Sequence, residues 1–315
     1  MRKIIIIFLI LILAGCSKEY IVSEDSFFVM DTYINVKVFD YNENEEILEE
    51  VKDLFNYYHR LADRYNAYED VVNVYSINNM QEEYLEIDSE LAFMIEYSLD
   101  FYEKTNGLFD IAMGNVIDVW KDHIQNKNYL PDYEYLSSLE RNEILIEGNK
   151  IYRGVNLDLG AIAKGYAVFK AGEFLEENGF AKYIINAGGQ VLVGETYRDD
   201  LYKVGVKHPL ENENLTILNV ENLCVSTSGG YERFFEIEGE RFSHIINPKT
   251  LFPETHFLSV TVLSKDSTLA DVLTTILFLM PIEEGQSFVS NLDVEAIWYL
   301  EDGSLVRTEG FSKYE

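Results

Sequence analysis

An α+β fold, with mixed sheets and packed helices in one compact unit, is the architecture this sequence predicts. Period-two strand patterns and amphipathic helical runs are intermixed without alternating strictly, which argues against a doubly wound parallel sheet. With 315 residues and 47% apolar composition, the chain can bury a large core without covalent staples. No repeat, low-complexity tract or linker follows the first 25 residues.

The chain begins MRKIIIIFLILILAGCSK. Arg2 and Lys3 form a basic n-region, and residues 4–13 form an apolar run too short to span a bilayer. The run ends in Leu13-Ala14-Gly15-Cys16, a small-residue cleavage site followed by cysteine, which resembles a bacterial lipobox. Residues 1–15 are therefore expected to be a lipoprotein signal peptide, with Cys16 the lipidated first residue of the mature chain. Residues 16–25 then form a tether, and 26–315 one domain. An ordinary short signal, in which Cys16 has no role, is the alternative. Once Cys16 is lipidated, Cys224 is the one remaining thiol, so no intrachain disulfide and no CxxC site can form.

FFVMDTYINVKVFD (27–40) alternates β-branched and aromatic residues and predicts a strand. EILEEVKDLFNYYHRLADRY (46–65) is an amphipathic helix, and ELAFMIEYSLDFYEKTNG (90–107) a second one stopped by Asn106-Gly107. Residues 120–135 are polar, hold Pro131 and predict a surface excursion; residues 143–154 predict a hairpin turning near Gly148-Asn149. A helix is expected over 163–178, with Gly179 behind it. KYIINAGGQVLVGE (182–195), LYKVGVKHP (201–209) and LSVTVLS (258–264) predict strands, and residues 224–248 a second hairpin-like region. STLADVLTTILFLM is an apolar helix stopped by Pro281, and residues 295–310 form a closing hairpin that turns at Asp302-Gly303.

A net charge of −30 argues against nucleic acid as a partner and against electrostatic docking to anionic lipid. The lipid is then the only expected membrane attachment.

Three constellations carry chemistry. In DLGAIAKG, Lys164 and the spacing of Gly160 and Gly165 fit neither a P-loop nor a dinucleotide fingerprint. The stretch can still offer a close backbone approach, free N–H groups at a helix start and a lysine, all suited to a phosphate. Asp158 suits a hydrogen-bond donor on a base or sugar. An ordinary strand-to-helix turn with a solvated lysine reads equally well.

In ADVLTTILFLM, Asp271 lies one turn before Thr275, beside Thr274, on a helix that is otherwise nearly all apolar. A buried carboxylate needs a cation or donors. A carboxylate–hydroxyl pair suits a hard ion such as Mg²⁺; Asp271 could equally sit in the first turn and favour the helix dipole. Thr227-Ser228-Gly229-Gly230 is a turn rich in hydroxyl and N–H groups. His244, before Asn247-Pro248, could be a general base, a ligand contact or a hydrogen-bonded core residue. Asp110 is a further loop carboxylate.

In this order and combination the pieces resemble the ApbE family, the FAD:protein FMN transferases of bacterial cell envelopes, over residues 29–280. The family's Met-Gly-Thr appears as Met30-Asp31-Thr32, and its tyrosine with a serine-asparagine turn as Tyr68 through YSINN. Gly107-Leu108-Phe109-Asp110, Trp120 and DLGAIAKGY (158–166) follow, then GGQ, TSGGYER, HIINP and the ADxxxT helix.

The resemblance implies an ApbE-like fold and an FAD site lined by Met30, Tyr68, Leu108, Phe109, Asp110, Asp158, Lys164, His244 and Ile245. It implies Mg²⁺ held by the Ala161 carbonyl, Asp271 and Thr275, with Thr274 a neighbouring group. Asp271 and His244 would carry catalysis, His244 as candidate base. The implied reaction moves FMN from FAD to a threonine hydroxyl of a partner, releasing AMP. Rnf- or Nqr-type subunits and FMN-binding-domain proteins are the expected acceptors. Hydrolysis of FAD to FMN and AMP, and FAD binding without turnover, are the alternatives. The chain departs from the family pattern at Asp31 and Leu251, which replace glycines, and at Asn247, which replaces an aspartate.

Overall fold

The computed structural model describes residues 19–315 except 128, 140, 231–233, 238–239 and 255–256. The expected signal peptide and Cys16 lie outside the described residues.

The region read as one strand over 27–40 is a hairpin of β1 (Ile21–Val29) and β2 (Thr32–Asp40). Met30 and Asp31 form its turn with φ of 53° and 61°, a left-handed pair that a two-residue turn between twisted strands requires. β1 thus begins inside the stretch read as tether. Six helices follow before the sheet resumes: α1 (Glu45–Ala62), α2 (Val74–Asn79), α3 (Ser89–Lys104), α4 (Gly114–Asp122), α5 (Tyr133–Ser138) and α6 (Ala163–Glu177). The sheet continues with β3 (Tyr183–Ala187), β4 (Gln190–Val193), β5 (Leu223–Gly229) and β6 (Phe257–Ser264). After α7 (Ser267–Leu279) and α8 (Ile282–Val289) it closes with β7 (Val294–Leu300) and β8 (Leu305–Arg307).

These eight strands lie side by side in chain order, every neighbour antiparallel. The α+β expectation holds, in a form simpler than mixed sheets: one antiparallel meander with helices and hairpins inserted between its strands.

Strand alternation sends the sheet's side chains to two cores. Val36, Val38, Ile185, Cys224, Val262, Ala296 and Trp298 belong to the core that also holds α1, α6 and α7. Phe39, Val193, Val225, Leu263 and Ile297 share the opposite core with a hairpin of Tyr202–Lys207 and Asn214–Val220. α7, apolar nearly all round, is wedged between sheet and helices with eleven buried residues, as a central helix should be.

Two further stretches depart in part from expectation. α1 stops at Ala62 rather than Tyr65, because the Asp63 carboxylate takes the N–H groups of Tyr65 and Asn66 into a local turn. The stretch 120–135 is exposed over most of its described length beyond Ile124, as expected, but it opens inside α4, which runs to Asp122 and is followed by a π-turn over His123–Lys127, and Trp120 is only 1% exposed. Trp120 is drawn inward by Met113, Val116, Leu136 and Leu251, residues its own stretch does not contain. Among the described residues no helix is long and apolar enough to cross a membrane.

Candidate functional site

Sheet register brings three turns to one end. The β1–β2 turn at Met30-Asp31, the β3–β4 turn at Gly188-Gly189 and the end of β5 at Gly229-Gly230 are neighbours. Thr32 Oγ1 lies 1.9 Å from where a Cβ on Gly188 would stand, so only glycine fits beside the first turn. The Thr227 N–H ties the third turn to the second through the Gly189 carbonyl at 2.8 Å.

At this end α6 crosses α7. The crossing is possible because Gly165 has no Cβ: one built there would lie 2.4 Å from Asp271 Cβ and 2.7 Å from the Ser267 carbonyl. Ile162, the N-cap of α6, has no oxygen to offer the donors of the first turn. Asp271 of α7 supplies one, its Oδ2 accepting the Gly165 N–H at 2.8 Å. Asp271 Oδ1 lies 3.0 Å from the Lys164 ammonium, which also donates to Gln190 Oε1 at 3.0 Å. Gln190 Nε2 in turn donates to the Ser267 carbonyl at 2.8 Å. The buried carboxylate thus has the cation and the donors that its burial demands.

The neighbouring hydroxyls are also engaged. Ser228 donates to Thr274 Oγ1 at 2.8 Å, and Thr274 donates to the Asp271 carbonyl at 2.7 Å, stitching β5 to α7. Thr275, one turn beyond Asp271, stays half-buried.

Can this set hold a hard cation? The donors are all oxygen: one carboxylate, the Thr275 hydroxyl and the Ala161 carbonyl in the turn before α6. No backbone N–H donates to that carbonyl among the described residues. Two of the roughly four lone-pair positions of Asp271 are taken, so the carboxylate can still bind. The set fits Mg²⁺ in kind. Among the described residues no three His, Cys, Asp or Glu side chains cluster, so any cation here depends on this mixed set.

The rest of the expected FAD lining divides. Asp158 is bonded not to Lys164 but to Gly160 N–H (2.8 Å) and to Arg64 Nη1 (3.3 Å). Arg64, with a side chain 5% exposed, also reaches Asp118, Asn156 and the Gly114 carbonyl. Burial opposes its charge, and the carboxylates of Asp158 and Asp118 more than restore it. Nothing in its local sequence marked Arg64, whose partners lie some 50 to 94 residues away. Gln190 was legible only as part of GGQ.

Leu108 and Phe109 are core residues, 6% and 2% exposed, so their side chains pack inward. Asp110 sits at the core's edge; burial raises its carboxyl above the ordinary range, against the pull of the Ala112 N–H and Arg141. Tyr68 donates to Asp63 Oδ2 at 2.9 Å beneath the Arg60 guanidinium, and burial followed by that carboxylate raises its phenol. Met30 is half-buried at its turn.

His244 is exposed and Ile245 buried in the loop that follows the short strand Glu240–Ser243. Ser243 packs beside Gly230, which brings this loop to the turn end of the sheet. Among the described residues, long-range bonds that reach the loop include Trp120 Nε1 to the Leu251 carbonyl (2.8 Å) and Arg141 Nη1 to the Pro248 carbonyl (2.8 Å). Leu251 has φ 62°, and Asp31 has φ 61°. Both positions where glycine is usual thus keep glycine's backbone conformation, at a cost of about 1–2 kcal/mol each.

The ApbE family model matches residues 30–298. An FAD:protein FMN transferase of Vibrio cholerae is 25% identical over 97% of this chain and 94% of its own length. One from Rhodobacter capsulatus is 30% identical over 71% of this chain, which spans 45% of that relative. The crystal structure of an ApbE protein from Thermotoga maritima superposes with a TM-score of 0.85 at 27% identity, covering 93% of this chain and 99% of that one. With the family pattern running through nearly every element that builds the turn end of the sheet, this chain belongs to the ApbE family.

Proposed function

We propose that this protein transfers FMN from FAD to a threonine hydroxyl of a partner protein, with Mg²⁺ and with release of AMP. The full-length likeness to relatives named FAD:protein FMN transferase supports the reaction class. The observation that supports the site most is Asp271, a buried carboxylate anchored by the Gly165 N–H and neutralised by Lys164.

Asp271, Thr275 and the Ala161 carbonyl would hold the metal. Bound there, Mg²⁺ supplies charge neutralisation for the diphosphate and polarises the phosphorus next to FMN. Lys164 donates to the diphosphate, and Asp158, steadied by Arg64, accepts from the FAD. Met30, Tyr68, the main chain of Leu108-Phe109, Asp110 and Ile245 frame the flavin nucleotide. The threonine oxygen bonds to the FMN phosphorus as the bond to the AMP oxygen breaks. Its proton passes to His244, which stands exposed where an incoming chain can reach it.

The acceptor is read as an Rnf- or Nqr-type subunit or an FMN-binding-domain protein. The mature chain is read as lipid-anchored through Cys16 in the cell envelope, facing away from the cytoplasm.

The test uses the full-length protein purified in detergent, incubated with FAD and Mg²⁺ with and without a threonine acceptor peptide. Peptide fluorescence that survives denaturation is the expected result, and Asp271→Asn should lower it by at least ~100-fold. FMN and AMP formed equally well without peptide would replace transfer by hydrolysis. Unchanged FAD would overturn both.

A further inference from the structure

The two oxygens of Asp271 are held in different ways. Oδ2 is fixed by the Gly165 N–H at a helix crossing too tight for a Cβ. Among the described residues, Oδ1 is held only by the end of a flexible side chain, Lys164, which is 24% exposed. That lysine has a second acceptor in Gln190, whose amide is oriented by its bond to the Ser267 carbonyl, so its oxygen stays turned toward the ammonium.

An ammonium and a dication cannot share one carboxylate oxygen without strong repulsion in so shielded a place. An uncompensated Asp271 would itself be costly. The site therefore needs one cation at Oδ1 at all times, and the geometry points to which. We propose that Lys164 is a stand-in cation: it neutralises Oδ1 until a divalent ion takes that oxygen. It then stays at the site on Gln190, its freed N–H directed to the substrate's diphosphate. Metal binding and presentation of the lysine to FAD become one event. This inference rests on the metal role read for Asp271.

The test is calorimetric titration of Mg²⁺ alone into the full-length protein in detergent, without FAD. Lys164→Met removes the competitor and should bind Mg²⁺ at least ~10-fold more tightly than the natural chain, while its FAD affinity in Mg²⁺ falls at least ~10-fold. A lysine that only braces the fold would weaken both. Lys164→Arg, whose planar fork grips a carboxylate more firmly, should bind Mg²⁺ at least ~5-fold more weakly. It is readable even if the methionine variant does not fold. Unchanged or weaker Mg²⁺ binding in a folded Lys164→Met, or unchanged or tighter binding in Lys164→Arg, overturns the stand-in role. Absence of Mg²⁺ binding in the natural chain overturns the metal reading of Asp271 and the inference with it.

Discussion

The site is framed by two halves built on different principles. The α6–α7 crossing holds Lys164 and Asp271 by direct backbone packing, with Gly165 pressed against Asp271 and every polar atom of Gln190 spoken for. The His244 loop hangs from bonds between distant side chains and its own carbonyls, Trp120 to Leu251 and Arg141 to Pro248. A crossing of this kind resists any added atom, because close-packed interiors transmit strain. A loop held by a few bonds tolerates change in proportion to the bonds lost. In the proposed reaction the chemistry would follow the same division, the rigid half handling the diphosphate and the suspended half facing the acceptor.

The sharpest way to break this comparison is Gly165→Ala. The added methyl meets Asp271 and the Ser267 backbone at well under contact distance, so one helix must move. The expected loss is about 3 kcal/mol in denaturant melts, with transfer falling by at least ~100-fold. Normal transfer in this variant would show that the crossing is not rigid. Trp120→Phe should cost less, about 1–2 kcal/mol, by leaving the Leu251 carbonyl without its donor. It should slow transfer only several-fold; a deeper loss than in Gly165→Ala would reverse the ranking.

Asp110 sharpens the picture through pH. Burial raises its carboxyl in the folded chain, so its favourable contribution is full below the ordinary carboxylate pKa and lost as pH rises through the folded value. Asp110→Asn should therefore gain in melting temperature, relative to the natural chain, as pH goes from about 3 to about 7. A constant difference would remove the burial argument. The smallest effect is expected at Cys224, whose buried thiol is pushed up to about 12 by desolvation. Iodoacetamide near pH 8 should leave the Cys224 peptide unlabelled in native protein and label it in urea, as mass spectrometry would read.

How much of this was legible beforehand depended on range. Strand alternation and helix periodicity are properties of a few consecutive residues, so the helices at 163–177 and 267–279 could be read almost to the residue and those at 45–62 and 89–104 to within three residues. The turn within 27–40 was missed because Met30-Asp31 carries no glycine, although its backbone is left-handed. Trp120 was placed at the surface because the residues that bury it, Leu136 and Leu251, lie outside its own helix. The strand Asn214–Val220 was missed because its partner, Tyr202–Lys207, supplies the face it buries against.

The motif order within this chain determined the family, the candidate residues and the need of Asp271 for a partner, since a carboxylate in an apolar helix states that need wherever it is found. Which partners it takes was decided only by the fold. Lys164 and Gly165 lie 107 and 106 residues away from it, Arg64 lies 94 from Asp158, and no local pattern encodes such distances. The packing of α6 against α7 brings Lys164 and Gly165 to Asp271, and a missing Cβ lets the two helices close on each other.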